Sequence, residues 1–190
     1  MNPTKVIELF RCNPRRSATV LVTDVRQFSR NTFGKGWTKG YGFVDLQTNI
    51  IKSTPRVALE NLMWIEAVLT LEPGTTNPVV SQINKIVDVW DTAYERDGEG
   101  GTNITISGRW GFPGNPIKHG PVRYYHDRIL GHVFTQQWFP RESSVRVDMA
   151  MMENPLRIGN HSYSCWIVKN AVEIDDLEDD EDDFLRGYMG

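Results

Sequence analysis

The sequence predicts a mainly β protein with one amphipathic helix, built as a β-sandwich or barrel with two long hairpins. Three observations predict it. SATVLVTDVRQF (17–28), MWIEAVLTLEP (63–73), SVRVDMAM (144–151) and YSCWIV (163–168) are rich in β-branched and aromatic residues, which suit pleated, half-buried surfaces. Glycine and proline clusters such as GKGWTKGYG (34–42) and GFPG (111–114) punctuate these runs. One stretch, NPVVSQINKIVDVW (77–90), has helical spacing: Val79, Ile83, Ile86, Val87 and Trp90 form a stripe, with Asn77 able to cap and Pro78 suited to a first helical position.

Taken in order, NPTKVIELF opens with Asn2 as an N-cap and Pro3 at the first turn, so a short helix to about Cys12 is expected before NPRR breaks it. A strand follows from Ser17. SRNTFGKGWTKGYG places four glycines among aromatics and lysines and reads as a hairpin tip or adaptable loop. In the run around residues 62–71 both alternating faces are largely apolar, so that strand is expected to be buried on both sides. The helix about 78–92 comes next, ended by ERDGEGG. ITISGRWG, RYYHDRI and NHSYSCWIVKNAVEI supply the remaining strands. The chain thus divides into an N-terminal arm with a short helix (1–16), a β domain (17–172) and an acidic C-terminal tail (173–190) expected to be flexible.

The 190 residues suit one domain, long enough to bury a real core. No apolar run approaches the roughly 18 residues a membrane helix needs, and VIELF is too short for a signal-peptide core. No membrane span is expected, and the chain is expected to act without export. The two cysteines, Cys12 and Cys165, form no close pair, which excludes a disulfide framework. The net charge of −3 hides an asymmetry: residues 173–190 hold nine of the 24 acids and one of the 21 bases, leaving a body of 20 bases and 15 acids, or +5. The acidic run repels itself and is expected to be a solvated tail. A docking arm anchored by Phe184, Leu185, Tyr188 and Met189 is the competing reading.

Chemistry-bearing motifs are missing. GEGG and GKGW lack a P-loop ending, no nucleophile elbow exists, and no enzyme activity, catalytic residue or cofactor is expected. The histidines show no metal-ligand spacing. His126 and His132 share strand parity, but surface histidines are the simpler reading and no metal is expected. Arg109-Trp110 and Arg123-Tyr124-Tyr125 mix basic and aromatic groups as nucleic-acid surfaces do, as ordinary strands also do.

The stretch HVFTQQWFPRESSVRVDMAM (132–151) reads as two strands and a turn. Val145, Val147, Met149 and Met151 alternate with Ser144, Arg146, Asp148 and Ala150, a half-buried strand. A hairpin this long would project, and a projecting edge needs a neighbour. On Gly131, Phe139-Pro140-Arg141, Val145, Val147 and Glu153, and on the order of elements over residues 40–153, the chain resembles phage-tail-tube-fold proteins, the tube and baseplate-tube components of tailed phages and contractile injection systems. The resemblance implies a tail-tube-like β domain with hairpins around 17–50 and 128–153 that join copies into a ring, hexameric in that family. It implies adjacent tail or baseplate proteins as partners, a tape-measure protein or DNA in the lumen, assembly in the host cytoplasm, and residence in the virion tail. Gln136, Trp138, Arg141, Ser144, Arg146 and Asp148 would then line the interface or lumen, with Asp148 offsetting Arg146 toward passing phosphate. The alternative is a viral capsid or nucleic-acid-binding β-sandwich, suggested by the +5 body and the Arg11, Arg15, Arg16 cluster.

Overall fold

In a computed structural model, the structure describes residues 3–28, 31–47, 59–96, 102–111, 115–119, 122–137, 144–152, 156–158, 161–163 and 165–174. The described residues are mainly β with one short helix, arranged as a closed five-stranded barrel and a second, seven-stranded sheet.

Helix α1 (Pro3–Cys12) occupies the span expected of it. Val6 and Phe10 lie one turn apart and are both buried, the i, i+4 spacing that puts two side chains on one face. Asn13 closes the helix by donating its backbone N–H to the Leu9 carbonyl at 3.2 Å.

The barrel comprises β1 (Arg16–Phe28), β2 (Asn31–Thr38), β3 (Gly42–Leu46), β4 (Trp64–Leu71) and β5 (Pro78–Val87), in the closed order β1-β2-β3-β5-β4. All neighbours are antiparallel except β3 and β5, which run parallel. Val20, Val22, Val44, Leu46, Ile65, Ala67, Leu69 and Val80 form one core cluster with Val6 and Phe10 of α1, so the helix packs into the barrel's own core.

Two expectations are corrected here. Residues 78–92 do not form a helix: Pro78–Val87 is strand β5. Its apolar stripe fits either period, but five of its ten residues are valine or isoleucine, which favour extended backbone. As a strand, the segment pairs with both β4 and β3 and closes the barrel, and proline is tolerated at a strand's first position. The glycine-rich stretch is not all loop. Asn31–Thr38 is β2, and the turn is confined to Lys39–Tyr41, with Gly40 inside it and Gly42 just after it at φ of 82° and 78°. Gly36 is glycine because a Cβ there would stand 2.5 Å from Val20 Cγ1 and 3.0 Å from the Leu21 carbonyl oxygen. The strand interior has no room for a side chain.

The second sheet contains β6 (Asp91–Arg96), β7 (Thr102–Gly111), β8 (Ile117–His119), β9 (Val122–Asp127), β10 (Gly131–Thr135), β11 (Ser144–Met151) and β14 (Cys165–Glu173). Strands β12 (Leu156–Ile158) and β13 (His161–Tyr163) pair separately. The order is β6-β7-β11-β14-β10-β9-β8. The expected hairpin around 128–153 is therefore not formed: β14 lies between β10 and β11, parallel to the first and antiparallel to the second. The physical reason is the content of β14. Its Trp166 is fully buried, and a strand of that kind belongs inside a sheet, not at its rim. The other expected hairpin, around 17–50, exists as β1 and β2, but the far edge of β1 pairs with β4, so it does not project.

Barrel and sheet share a core. Leu21, Trp37 and Trp64 point out of the barrel and pack with Ile106, Trp110, Tyr125, Val133, Val145, Val147, Met149 and Trp166. Trp37 meets Trp166 edge-on at 5.4 Å between centroids, a favourable aromatic geometry. Polar links reinforce the seam. Trp64 Nε1 donates to Thr92 Oγ1 at 2.9 Å, Tyr94 OH to the Thr23 carbonyl at 2.7 Å, and Lys39 Nζ to the Asp127 and Arg128 carbonyls at 2.8 and 3.1 Å. No helix among the described residues is long and apolar enough to cross a membrane.

Candidate nucleic-acid interface

The outer surface of β1–β2–β3 is built by register. Cross-strand partners form three rows: Arg26 opposite Phe33; Asp24 and Asp45 on either side of Lys35; and Leu21, Trp37 and Phe43. A bulge between Val22 and Asp24 keeps Asp24 and Arg26 on this face, while Val25 packs toward the barrel core. Bulges re-aim the side chains that follow them.

The second sheet covers Leu21 and Trp37 but stops short of the rest. Phe33 is 57% exposed and Phe43 50%, with Lys35 between them along β2. Strand geometry puts the two rings' backbones roughly 14 Å apart. A third exposed aromatic, Tyr94 at 45%, reaches this edge from β6 through its bond to the bulge residue Thr23. Burial, then the Asp24 carboxylate, push the Tyr94 hydroxyl above its ordinary pKa, which keeps it a neutral donor. The cations are not bare charges. Arg26 Nε lies 2.8 Å from Asp24 Oδ2, and Lys35 Nζ 3.9 Å from Asp45 Oδ1. The surface is thus an aromatic platform carrying two paired cations and no net charge.

The residues expected at a hairpin are dispersed. Ser144, Arg146 and Asp148 share the outer face of β11, as the alternation implied, with Arg146 and Asp148 exposed. Asp148 accepts from Ser107 Oγ at 2.8 Å and Asn170 Nδ2 at 3.5 Å, so it is tied to the two flanking strands. Gln136 follows β10, across β14 from those three, and its carbonyl accepts from Arg123 Nη1 at 3.4 Å. Trp138 and Arg141 lie outside the described residues. Of the basic-aromatic groups seen in the sequence, Trp110 and Tyr125 are buried in the shared core, whereas Tyr124 is half-buried beside His132 and Phe134. The sequence alone does not single out Phe33, Lys35, Phe43 or Tyr94. The signal for Phe33 and Lys35 is the alternation F-G-K-G-W in β2, hidden by glycines that suggest a loop.

On β9 and β10, His126 and His132 are cross-strand partners. Burial, then His126 and Lys39, hold the His132 imidazole below its ordinary pKa. Among the described residues no group of three or more His, Cys, Asp or Glu side chains is placed to hold a metal. A cleft of about 430 Å³ lies between α1 and the β4–β5 turn, lined by Ile7, Phe10, Arg11 and Leu71–Thr76. It is shallow and open to solvent.

No protein-family model matches the chain, and no curated protein or solved structure matches it.

Proposed function

We propose that the chain binds single-stranded nucleic acid on the outer face of β1–β2–β3. The observation that carries this reading is the exposure of Phe33 and Phe43 around Lys35 on the second and third strands of a small closed barrel. Leaving two phenylalanines half-exposed forgoes part of the roughly 1.5–3 kcal/mol that full burial of each contributes, a loss that a contact surface recovers. In five-stranded Greek-key barrels that bind oligonucleotides or oligosaccharides, the face of strands two and three is the contact surface. Single strands are held there by bases stacked on aromatic rings, with cations following the backbone. Function is argued from these side chains, since barrels of one architecture serve many ends.

Two paired cations predict weak salt dependence. At about −0.7 per phosphate contact for single strands, the slope of log K against log salt is about −1.4 at most. Titrating a fluorescent oligothymidylate with the protein, and a hairpin duplex beside it, tests the reading. Binding of the single strand with a shallow slope supports it. Equal binding of duplex, or a slope several times steeper, points to a phosphate-tracking surface elsewhere, and binding of oligosaccharide alone replaces nucleic acid as the ligand.

A structural role in a ring or tube of a phage tail or injection system is a second reading. The observation favouring it is that β6 and β8 are the outermost strands of the seven-stranded sheet and carry exposed Tyr94 and Ile117, edges that a further copy could extend. Its partners would be copies of this chain, hexameric by the resemblance, with adjacent tail proteins and a tape-measure protein or DNA in the lumen. Rings with a central hole in negative-stain images support it. A monomer by native mass at high concentration removes it.

A further inference from the structure

Away from the barrel, two strands bring a pair of imidazoles together. His126 on β9 is the direct antiparallel partner of His132 on β10, and their ring centroids are 5.2 Å apart with planes at 63°. Both face away from the barrel, because the residues that alternate with them, Tyr125 and Val133, belong to the shared core. His126 is exposed and His132 half-buried, so a small ion can reach the pair. Tyr124 holds His132 in an edge contact at 5.8 Å and stacks at a tilt on Phe134 at 5.5 Å, which limits how far the ring can turn.

We propose that His126 and His132 form a two-histidine seat for a divalent transition-metal ion of the zinc, nickel or copper class. Two imidazoles on one tetrahedral ion, each with a metal–nitrogen bond of about 2.0–2.1 Å, hold their centroids about 5 Å apart. The observed separation of 5.2 Å matches that spacing. Imidazole selects zinc, copper and nickel over magnesium and calcium. The nearest carboxylate in sequence supplies no hard oxygen, since Asp127 Oδ1 accepts from the backbone N–H groups of Ile129 and Leu130 and Oδ2 from Trp110 Nε1. Water completes the coordination shell. Lys39 is close enough for its charge to act on His132 and opposes a cation there.

The test is calorimetric titration of Zn2+ into the full chain and its His126→Gln and His132→Gln variants, with thermal melts of each without metal. The expected result is one saturable Zn2+ site, weakened at least tenfold by either histidine change, with His126→Gln melting like the parent. Zn2+ binding of equal strength in both histidine variants assigns the ion to other groups, such as the acidic run at 173–183, and overturns the proposal. So does the absence of saturable binding in the parent.

Discussion

Phe43 stands directly opposite Trp37 in the β2–β3 register, yet Trp37 is 2% exposed and Phe43 50%. The same row, Trp64–Leu21–Trp37–Phe43, runs across four barrel strands. Its first three members are roofed by the second sheet and its last emerges into solvent. The boundary of that roof defines the candidate interface: inside it aromatics stabilise the fold, outside it Phe33 and Phe43 stay half-exposed.

Truncation on the two sides of the boundary therefore has opposite consequences. Trp37→Ala opens a cavity against Trp166 and is expected to cost about 3–5 kcal/mol. Phe43→Ala is expected to stay within about 0.5 kcal/mol of the parent, as surface changes do. Urea unfolding of the two variants checks this; equal losses would mean that Phe43 is part of the core.

Gly36→Ala is expected to destabilise by about 1–3 kcal/mol through overpacking, since the new methyl would collide with Val20 and the Leu21 carbonyl. Gly74→Ala would meet nothing within 4 Å but sits at φ +81°, so its cost is the left-handed backbone alone, about 1 kcal/mol. Denaturation midpoints of the pair separate steric from conformational cost.

Lys39→Met keeps the aliphatic stem while removing the donor to the Asp127 and Arg128 carbonyls. Hydrogen bonds from charged groups are worth about 1.5–3 kcal/mol when well ordered, and half-exposure places this seam at the lower end. The expected loss is about 1–2 kcal/mol, with faster amide exchange at Ile129 and Leu130 as the local readout.

Acidification should loosen the β9–β10 region. The folded His132 pKa is depressed below its ordinary 6.5, so above 6.5 both states are neutral and stability is unaffected. As pH falls through 6.5 the unfolded chain takes up the proton first, and stability declines until the folded pKa is passed. Replacing His132 with Gln is expected to flatten the stability profile below pH 6.5. An unchanged profile would assign the acid sensitivity to other groups.

Much of the fold was legible in local pattern. Runs of β-branched and aromatic residues marked β1, β4, β11 and β14, and the Asn2-Pro3 opening marked α1. What failed was information that local sequence does not hold. The stripe of β5 satisfies two periods, and only the need of β3 and β4 for a shared partner decides between them. Strand β11 looks like the return arm of a hairpin from β10, but β14, distant in sequence, takes the place between them. The candidate interface was hidden for a related reason. Gly34 and Gly36 imitate a loop until the barrel closes, and only then do Phe33 and Lys35 share a face with Phe43.

The most direct measurement is an anisotropy titration of a fluorescent oligothymidylate with the parent chain and with the Phe33→Ala/Phe43→Ala double variant, after equal unfolding midpoints have been verified. Stacking contributes about 1–3 kcal/mol per base, so the account predicts at least a tenfold loss of affinity in the variant. Affinity equal to that of the parent, or no binding by the parent at low salt, would contradict it.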